Sequence, residues 1–468
     1  MKYLIGIDGG SQSTKTAVYD FEGNIICSSD VKLRPMHLAS GGIVEHPDDD
    51  LWDSLCKVTK NLLSKFDGNI SDIMGVGLCT IRFCRCLLKR DGTLSQPAMS
   101  WMDHRVSLPH VQNNSDTAYV TTSSGYITRR LTGENKDTAA NYLGAWPFDR
   151  STWDWDEAGF EAFGVKRDML FDLVMPGEIL GYISAEASEY TGLPKGLPVF
   201  ATANDKAVEA LGVGCAKPGM SLLSLGTYIA AMTCTDSNRG DNDNGWTNLA
   251  SIPNRYFFET MGIRRGMWML SWWADVIGED FAARAVSLGI PPEELLNREA
   301  GKIPAGSDGL IVIPQWLAPV HQPYKKGMIL GFDGRHGRAH IYRAILEGIA
   351  LTMKNNIDAA GGASGQFFIS GGGSKSDVFM QIFADVLGKP VTRPGSNSSA
   401  GLGAAICAAV GLGIWSDFDI AAEKMVRGGV PFEPILDNAV IYEKLNDVYK
   451  NLDSLGDDLF QKTYSIFG

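Results

Sequence analysis

Near the start of the chain stand three short apolar runs, each bounded by polar residues or glycine. Lys2–Asp8, Lys15–Asp20 and Asn24–Ser28 therefore predict strands, and the turn FEGN before the third predicts a hairpin, because Gly23 tolerates a positive φ. From Pro47 the period becomes helical. Leu51, Leu55, Val58 and Leu62 fall on one face, and Asp48 to Asp50 occupy a first turn whose dipole favours acids. Ile73–Leu78 and Arg85–Lys89 predict further strands, followed by the turn RDGT. Residues 111–135 are polar and weakly periodic. The stretch from Pro176 to Phe200 alternates strand, short helix and Pro/Gly turns, and GCAKPG at Gly214–Gly219 predicts a domain joint. The tail from Asp437 to Gly468 reads as largely helical. Leu445, Val448, Tyr449 and Leu452 are spaced there to pack on a second domain, and a homodimer contact stays open.

Two later stretches repeat or extend the opening pattern. MSLLSLGTYIAAM, Met220 to Met232, again runs strand, small polar turn, strand, and echoes IGIDGGSQSTKTAV in the first half. Two such turns facing each other could hold the two ends of a polyphosphate. In FFISGGGSKSDVFMQIFADVLGKPVTRP, Phe367 to Pro394, a strand ends at three glycines and a helix begins. Ser374 and Asp377 have capping-box spacing, with Asp replacing the usual Glu or Gln. Phe379, Ile382, Phe383, Val386 and Leu387 form the stripe expected to be buried, and Gly388 and Pro390 end the helix.

Composition narrows the function. With 468 residues and 44% hydrophobic content, the chain can bury a large core, and at about 100–200 residues per domain it should form two or three domains. A net charge of −12 argues against a nucleic-acid partner, whose phosphates need Lys and Arg. No apolar run reaches the roughly 18 residues of a membrane span, and no leader precedes Met1, so a cytoplasmic protein with no membrane partner is expected. The eight cysteines lack paired CxxC spacing and read as reduced, with Cys84 and Cys86 on one strand face. His46, His104 and His340 read as surface or packing residues.

Neither a Walker A motif nor a GxGxxG fingerprint is present. Taken alone, GIDGGSQSTK is either a hairpin or a phosphate loop, and GGGSKSD is either helix–strand packing or a ligand contact. Together, in two halves of one chain, they favour a nucleotide cleft.

At these residues the chain resembles the FGGY carbohydrate kinases, within the fold shared by actin, sugar kinases and heat-shock chaperone ATPases. GIDGGSQSTK resembles the family's first phosphate loop and LSLGTY its second. IVEHPDDDLW and SWMDHR are similar to its GWVEQDP-type and W-x-D-x-R elements. GMILGFDGRHGRAHIYRAILEG resembles the C-terminal signature, departing mainly at Phe332, and GGGSKSDVFMQIFADVLGKPV the adenosine element. The likeness is closest to a branch of uncharacterised sugar kinases.

The resemblance implies an α/β protein of two actin-like, ribonuclease H-like domains flanking an ATP cleft. Residues 1–216 would form the sugar and phosphate-loop side and residues 217–468 the adenosine side. It implies ATP and Mg²⁺ as cofactors and a small sugar, polyol or sugar acid as substrate, with a pentulose-like acceptor favoured. By the match of ATANDKAVEALGVG, Asp205 is the general base, with a helix N-cap as the structural alternative. Asp8 would hold hydrated Mg²⁺. Gly10, Ser11, Ser13 and Thr14 would meet phosphate oxygens, while Lys15 either adds a charge there or faces solvent. Gly226 and Thr227 would meet phosphates from the second half, and Gly371, Gly372, Gly373, Ser374 and Asp377 would form the adenosine side. Arg82, Trp101, Asp103, Arg105 and Arg264 (or its neighbour Arg265) are the substrate candidates, with an Asp103–Arg105 salt bridge as a competing or concurrent reading and exposed surface as the alternative for the two later arginines. The short segment between Arg105 and Tyr126, and QWLAPVHQPYKKG in place of a GER-x-P-like stretch, leave the substrate unnamed. A non-catalytic nucleotide-binding protein and an actin-like ATPase are the competing functions.

Overall fold

The computed structural model describes residues 1–319, 322–395, 398–452 and 454–467. Val320 and His321, within QWLAPVHQPYKKG, lie outside the described residues. Two sheets organise the chain. The first has six strands in the order Ile179–Tyr182, Pro198–Asn204, Ile73–Thr80, Tyr3–Gly9, Ser13–Asp20, Ile25–Lys32. The second has seven, in the order Gly245–Leu249, Tyr256–Thr260, Ile229–Thr235, Ser221–Leu225, Phe367–Gly371, Val391–Pro394, Gly429–Phe432. Each opens on an antiparallel hairpin, Tyr3–Gly9 with Ser13–Asp20 in the first and Ser221–Leu225 with Ile229–Thr235 in the second. The echo read in the sequence is thus a repeated piece of topology.

Strand direction places the chemistry. Tyr3–Gly9, Ile73–Thr80 and Pro198–Asn204 run parallel, so their carboxyl ends share one edge of the first sheet. Asp8, Arg82 and Asp205 lie at or just beyond those ends. Ser221–Leu225 and Phe367–Gly371 are also parallel, with Leu225 paired to Gly371, which brings the Gly226–Thr227 turn beside the three glycines. Ligands of open α/β sheets bind outside such strand ends.

The helix Ser399–Gly411 packs on the first sheet although it follows the strands of the second. Most of its buried residues are small, Gly401, Gly403, Ala404, Ala405, Ala408 and Ala409 among them, beside Leu402 and Ile406. Backbone therefore meets backbone. A Cβ on Gly6 would stand 1.9 Å from the Gly401 carbonyl oxygen, one on Gly77 1.9 Å from that of Ala404, and one on Gly212 1.8 Å from that of Ser399. These contacts clamp the helix Asp205–Gly212 against the strands that carry Asp8 and Thr80.

Most elements match the expectation within a few residues, but four points differ. The first helix starts at Asp50, three residues after Pro47. The polar stretch 111–135 holds a strand, Tyr119–Thr121, and a helix, Ser123–Thr132, capped by the Thr122 hydroxyl accepting from the Gly125 N–H. Its buried Ser124 and Thr122 hydroxyls donate to Asp137 at 2.5 and 2.7 Å, so polar side chains pack there because their partners are buried with them. The helix after the three glycines is capped by Ser376, whose hydroxyl accepts from Phe379 N–H, and not by Ser374. In the tail helix Leu436–Tyr449, Tyr449 is buried and Leu445 packs on the core, but Val448 faces solvent.

The close contacts give a direct test. Gly77→Ala forces a methyl into the Ala404 carbonyl, at a cost of about 1–3 kcal/mol for overpacking. Its melting midpoint should fall by several degrees, whereas Gly334→Ala, with nothing within 4 Å of its Cβ, should melt with the wild type. Equal melting of the two variants would show that the helix is not held by this contact.

Candidate active site

A cavity of about 470 Å³ opens between the two sheets. Asp8, Gly10, Ser11, Ser13 and Lys15 line one side, and Asp205, Lys206 and Glu209 line its floor. Ser370, Gly371, Gly372, Ser374 and Lys375 face them from the second sheet, with Arg393, Ser399 and Ala400 at the far end. Most of the expected phosphate-loop and glycine residues are therefore brought together. Lys15, whose place was open, is exposed and lines this cavity.

Strand geometry corrects one phosphate residue. Ser13 and Lys15 share one face of Ser13–Asp20, so Thr14 faces the other way. The Thr14 hydroxyl is buried and bonds Ser54 Oγ at 2.8 Å, which removes it from the cleft. Gly226 and Thr227 form the second hairpin turn and accept, through their carbonyls, from Met267 and Gly266 N–H. The Ser374 hydroxyl donates to the Gly371 carbonyl at 2.8 Å and locks the glycine turn. Asp377 points outward and pairs with Arg393.

Asp205 is the first residue of its helix, and it is not the cap. Asn204 fills that role, its side chain accepting from Ala207 N–H at 3.2 Å. The Asp205 carboxylate is left for other work, and its Oδ1 receives the Arg82 N–H at 3.4 Å. The Arg82 guanidinium grips Glu259 of the second sheet with two bonds, of 2.6 and 2.9 Å. Asn248 donates to Glu259 at 3.5 Å and accepts from Asn204 at 3.1 Å. Asn204, Asn248, Glu259, Arg82 and Asp205 thus close a ring of contacts joining the two sheets beside the expected base.

Asp8 lies in an acidic, desolvated place. Burial first and the Asp205 charge second push its carboxyl up to about 6, against the pull of Lys15 and Lys206. Burial also opposes ionisation of Glu209, but Lys206 and the Ser370 hydroxyl overcome it, and its carboxyl ends below its ordinary value.

The remaining substrate candidates lie elsewhere. Asp103 is buried and forms the salt bridge with Arg105. One of its oxygens accepts from Arg105 N–H and Nε at 2.9 and 2.8 Å, and the other from Val44 N–H at 2.8 Å and Arg105 at 2.6 Å. Arg105 also reaches Glu45 at 2.6 Å, and the Trp101 ring is half exposed. None of the three lines the cavity between the glycine loops. Arg264 donates to the Ala318 carbonyl at 2.7 Å and borders a separate cavity of about 650 Å³ in the second half.

Sequence reasoning missed Lys206, Glu209 and Glu259. The spacing of Asp205 and Glu209, four residues apart at a helix start, could have placed both on one face. Glu259 carried a weaker signal, an acid inside the apolar strand YFFET.

Comparison with known proteins shows the family and the fold. Residues 3–115 and 107–212 match the N-terminal domain, and residues 224–412 the C-terminal domain, of the FGGY family of carbohydrate kinases. The uncharacterised sugar kinase YgcE of Escherichia coli (strain K12) is 47% identical over 99% of this chain and 96% of its own length. Two solved structures share the fold. The xylulose kinase from Rhodospirillum rubrum has a TM-score of 0.87 at 24% identity, covering 98% of this chain and 100% of its own. The gluconate kinase from Lactobacillus acidophilus has a TM-score of 0.86 at 20% identity, covering 99% of each chain. With both family domains matched along the chain and the fold shared, this protein belongs to the FGGY family of carbohydrate kinases.

Proposed function

We propose that the protein transfers the γ-phosphoryl group of ATP to a hydroxyl of a small neutral ketose or polyol, with Asp205 as general base. Residues 1–216 carry the acceptor and the first phosphate loop, and residues 217–468 the adenosine side. The observation that carries the reading is Asp205, uncapped and at the floor of a cavity whose opposite walls are the two glycine-rich loops. In this reading the acceptor O–H gives its proton to Asp205 as its oxygen attacks phosphorus. The backbone of Gly10 and Ser11 and the Ser13 hydroxyl meet the phosphates from one side, with Gly226 and Thr227 on the other. The residues fit a hydrated Mg²⁺. Asp8 is a carboxylate whose charge burial and Asp205 disfavour, and a divalent cation would relieve that cost. When bound, the metal would neutralise charge on the phosphates.

The class of acceptor follows from Arg82. Its guanidinium is already paired through both terminal nitrogens with buried Glu259. With its charge met by Glu259, Arg82 offers an acidic substrate no net positive charge, and the Glu259 carboxylate beside it would repel one. Hydroxyls can instead accept from the Arg82 edge and donate to Glu259 without separating them.

Three outcomes are expected. ADP release with Mg-ATP should depend on a neutral pentulose or polyol, and sugar acids of equal length should give little. Asp205→Asn should lower acceptor-dependent release by roughly a hundredfold or more, the scale of a lost general base. Release that ignores every acceptor and survives Asp205→Asn would overturn the assignment. The third outcome concerns stability. Because the folded-state pKa of Asp8 is raised from 3.8 to about 6, stability present at low pH is lost as pH rises through that window. In chelated, nucleotide-free buffer, Asp8→Asn should melt above the wild type at pH 8, and the gap should close towards pH 4. A constant gap would show that Asp8 ionisation carries no such cost.

A further inference from the structure

Lys206 follows the base directly and crosses the cleft. Its Nζ donates to Glu209 Oε2 at 3.2 Å and to Ser224 Oγ at 3.1 Å. Ser224 lies two residues before Gly226 on the strand that enters the second phosphate turn. The other Glu209 oxygen accepts from Ser370 Oγ at 2.7 Å, next to Gly371. The ammonium is therefore fixed from two sides, by Glu209 of its own helix and by the strand before one phosphate turn, and Glu209 is held in turn by the strand before the glycine turn. Lys206, Glu209 and Ser370 all line the cavity that Asp8 and Lys15 share.

A helix-stabilising ion pair does not account for this arrangement. A lysine in the first turn opposes the helix dipole, and a surface pair would leave both side chains in water. Here each partner is recruited to a different strand of the second sheet. An ammonium has three donors, and two are taken among the described residues, which leaves one for a ligand. The ligand's charge is set by the surroundings. Asp8, Asp205 and Glu209 make the floor acidic, so a triphosphate entering it needs a cation held where charge gathers. Lys15, exposed on the first hairpin, makes no side-chain hydrogen bond or ion pair among the described residues, whereas Lys206 is held in place before the nucleotide arrives.

We propose that Lys206 is the cation that meets the transferred phosphoryl group, with Glu209 as its positioning residue. The proposal rests on the kinase reading above. In the step, the bond from phosphorus to the ADP oxygen breaks and the bond to the acceptor oxygen forms. The acceptor proton goes to Asp205, and Lys206 keeps its protons throughout.

The test compares binding of Mg-ADP and of the Mg-bound β,γ-imido analogue of ATP by calorimetry, in wild type, Lys206→Met and Glu209→Gln. Loss of one charge-assisted contact to the terminal phosphate should weaken the analogue by about tenfold or more in Lys206→Met, with ADP changed by less than about threefold. Glu209→Gln should shift the same ratio in the same direction by less, because the ammonium remains but is less firmly held. Turnover of Lys206→Met should fall by roughly a hundredfold while acceptor KM stays within about threefold. Retained ADP binding shows that the variant is folded; if Lys206→Met does not fold, Lys206→Gln is put through the same titrations. Equal weakening of both nucleotides, or a raised acceptor KM with unchanged kcat, would overturn the proposal. A wild type that favours the analogue but phosphorylates no acceptor would fail the kinase reading alone. Acceptor-dependent turnover that survives loss of the lysine would fail Lys206 alone.

Discussion

The site depends on one steric constraint, the approach of backbone to backbone around the helix Ser399–Gly411. Gly6 and Gly77 on the first sheet, Gly212 on the base helix and Gly403 on the packing helix each face a carbonyl oxygen at 1.8 to 2.0 Å from where a Cβ would stand. No side chain larger than hydrogen fits these positions without a shift. The gain from so close an approach is dispersion contact at native density along a whole helix, and its consequence is positional. The helix carrying Asp205, Lys206 and Glu209 cannot slide relative to the strand carrying Asp8. A segment late in the chain thereby fixes the geometry of residues encoded early in it.

Within that frame the cleft is electrostatically loaded before any ligand enters. Asp8, Asp205 and Glu209 share its floor, and only part of their charge is met by Lys206 and Lys15. Burial and the Asp205 charge disfavour the ionised form of Asp8, so the site favours an incoming cation such as the proposed metal–nucleotide donor would bring. The opposing hairpins supply backbone groups and small hydroxyls, which can approach phosphate oxygens closely and add no further negative charge.

How legible this was in the sequence depended on which residues reported their own surroundings. Hairpins and glycine turns did, because Gly23 and Gly388 adopt the positive φ that their turns require. Asp8 did, as a lone acid ending an apolar strand. Thr14 could have been placed correctly from the two-residue period alone. Ser374 was mistaken for a cap because the glycines continue into a short turn, Gly372–Lys375, which moves the helix start to Asp377 and the cap to Ser376. The helix Ser123–Thr132 escaped because it buries Ser123, Ser124 and Thr128 alongside Tyr126, Ile127 and Leu131, so the apolar part of its inward face is short. Lys206 and Glu209 looked like ordinary charges of an amphipathic helix. Only their partners on the second sheet, Ser224 and Ser370, make them half-buried groups of the cleft.

Arg82 shows how a local strain serves a contact between the two halves. The residue after it, Phe83, has φ of 62°, a left-handed conformation uncommon for a bulky side chain. Such a conformation persists only where its surroundings over-determine it. Here Arg82 is fixed twice, by its N–H on Asp205 and by its guanidinium on Glu259, and it lies over the Phe83 ring at 5.2 Å. The sharp turn after Thr80 lets one residue address Asp205 with its backbone and the opposite sheet with its side chain. Since Glu259 and Asp205 belong to different sheets, a relative shift of the sheets would have to lengthen one bond or the other. Asp205 and the interface between the halves therefore share a partner, so that holding the Asp205 carboxylate and seating the two sheets are coupled through Arg82.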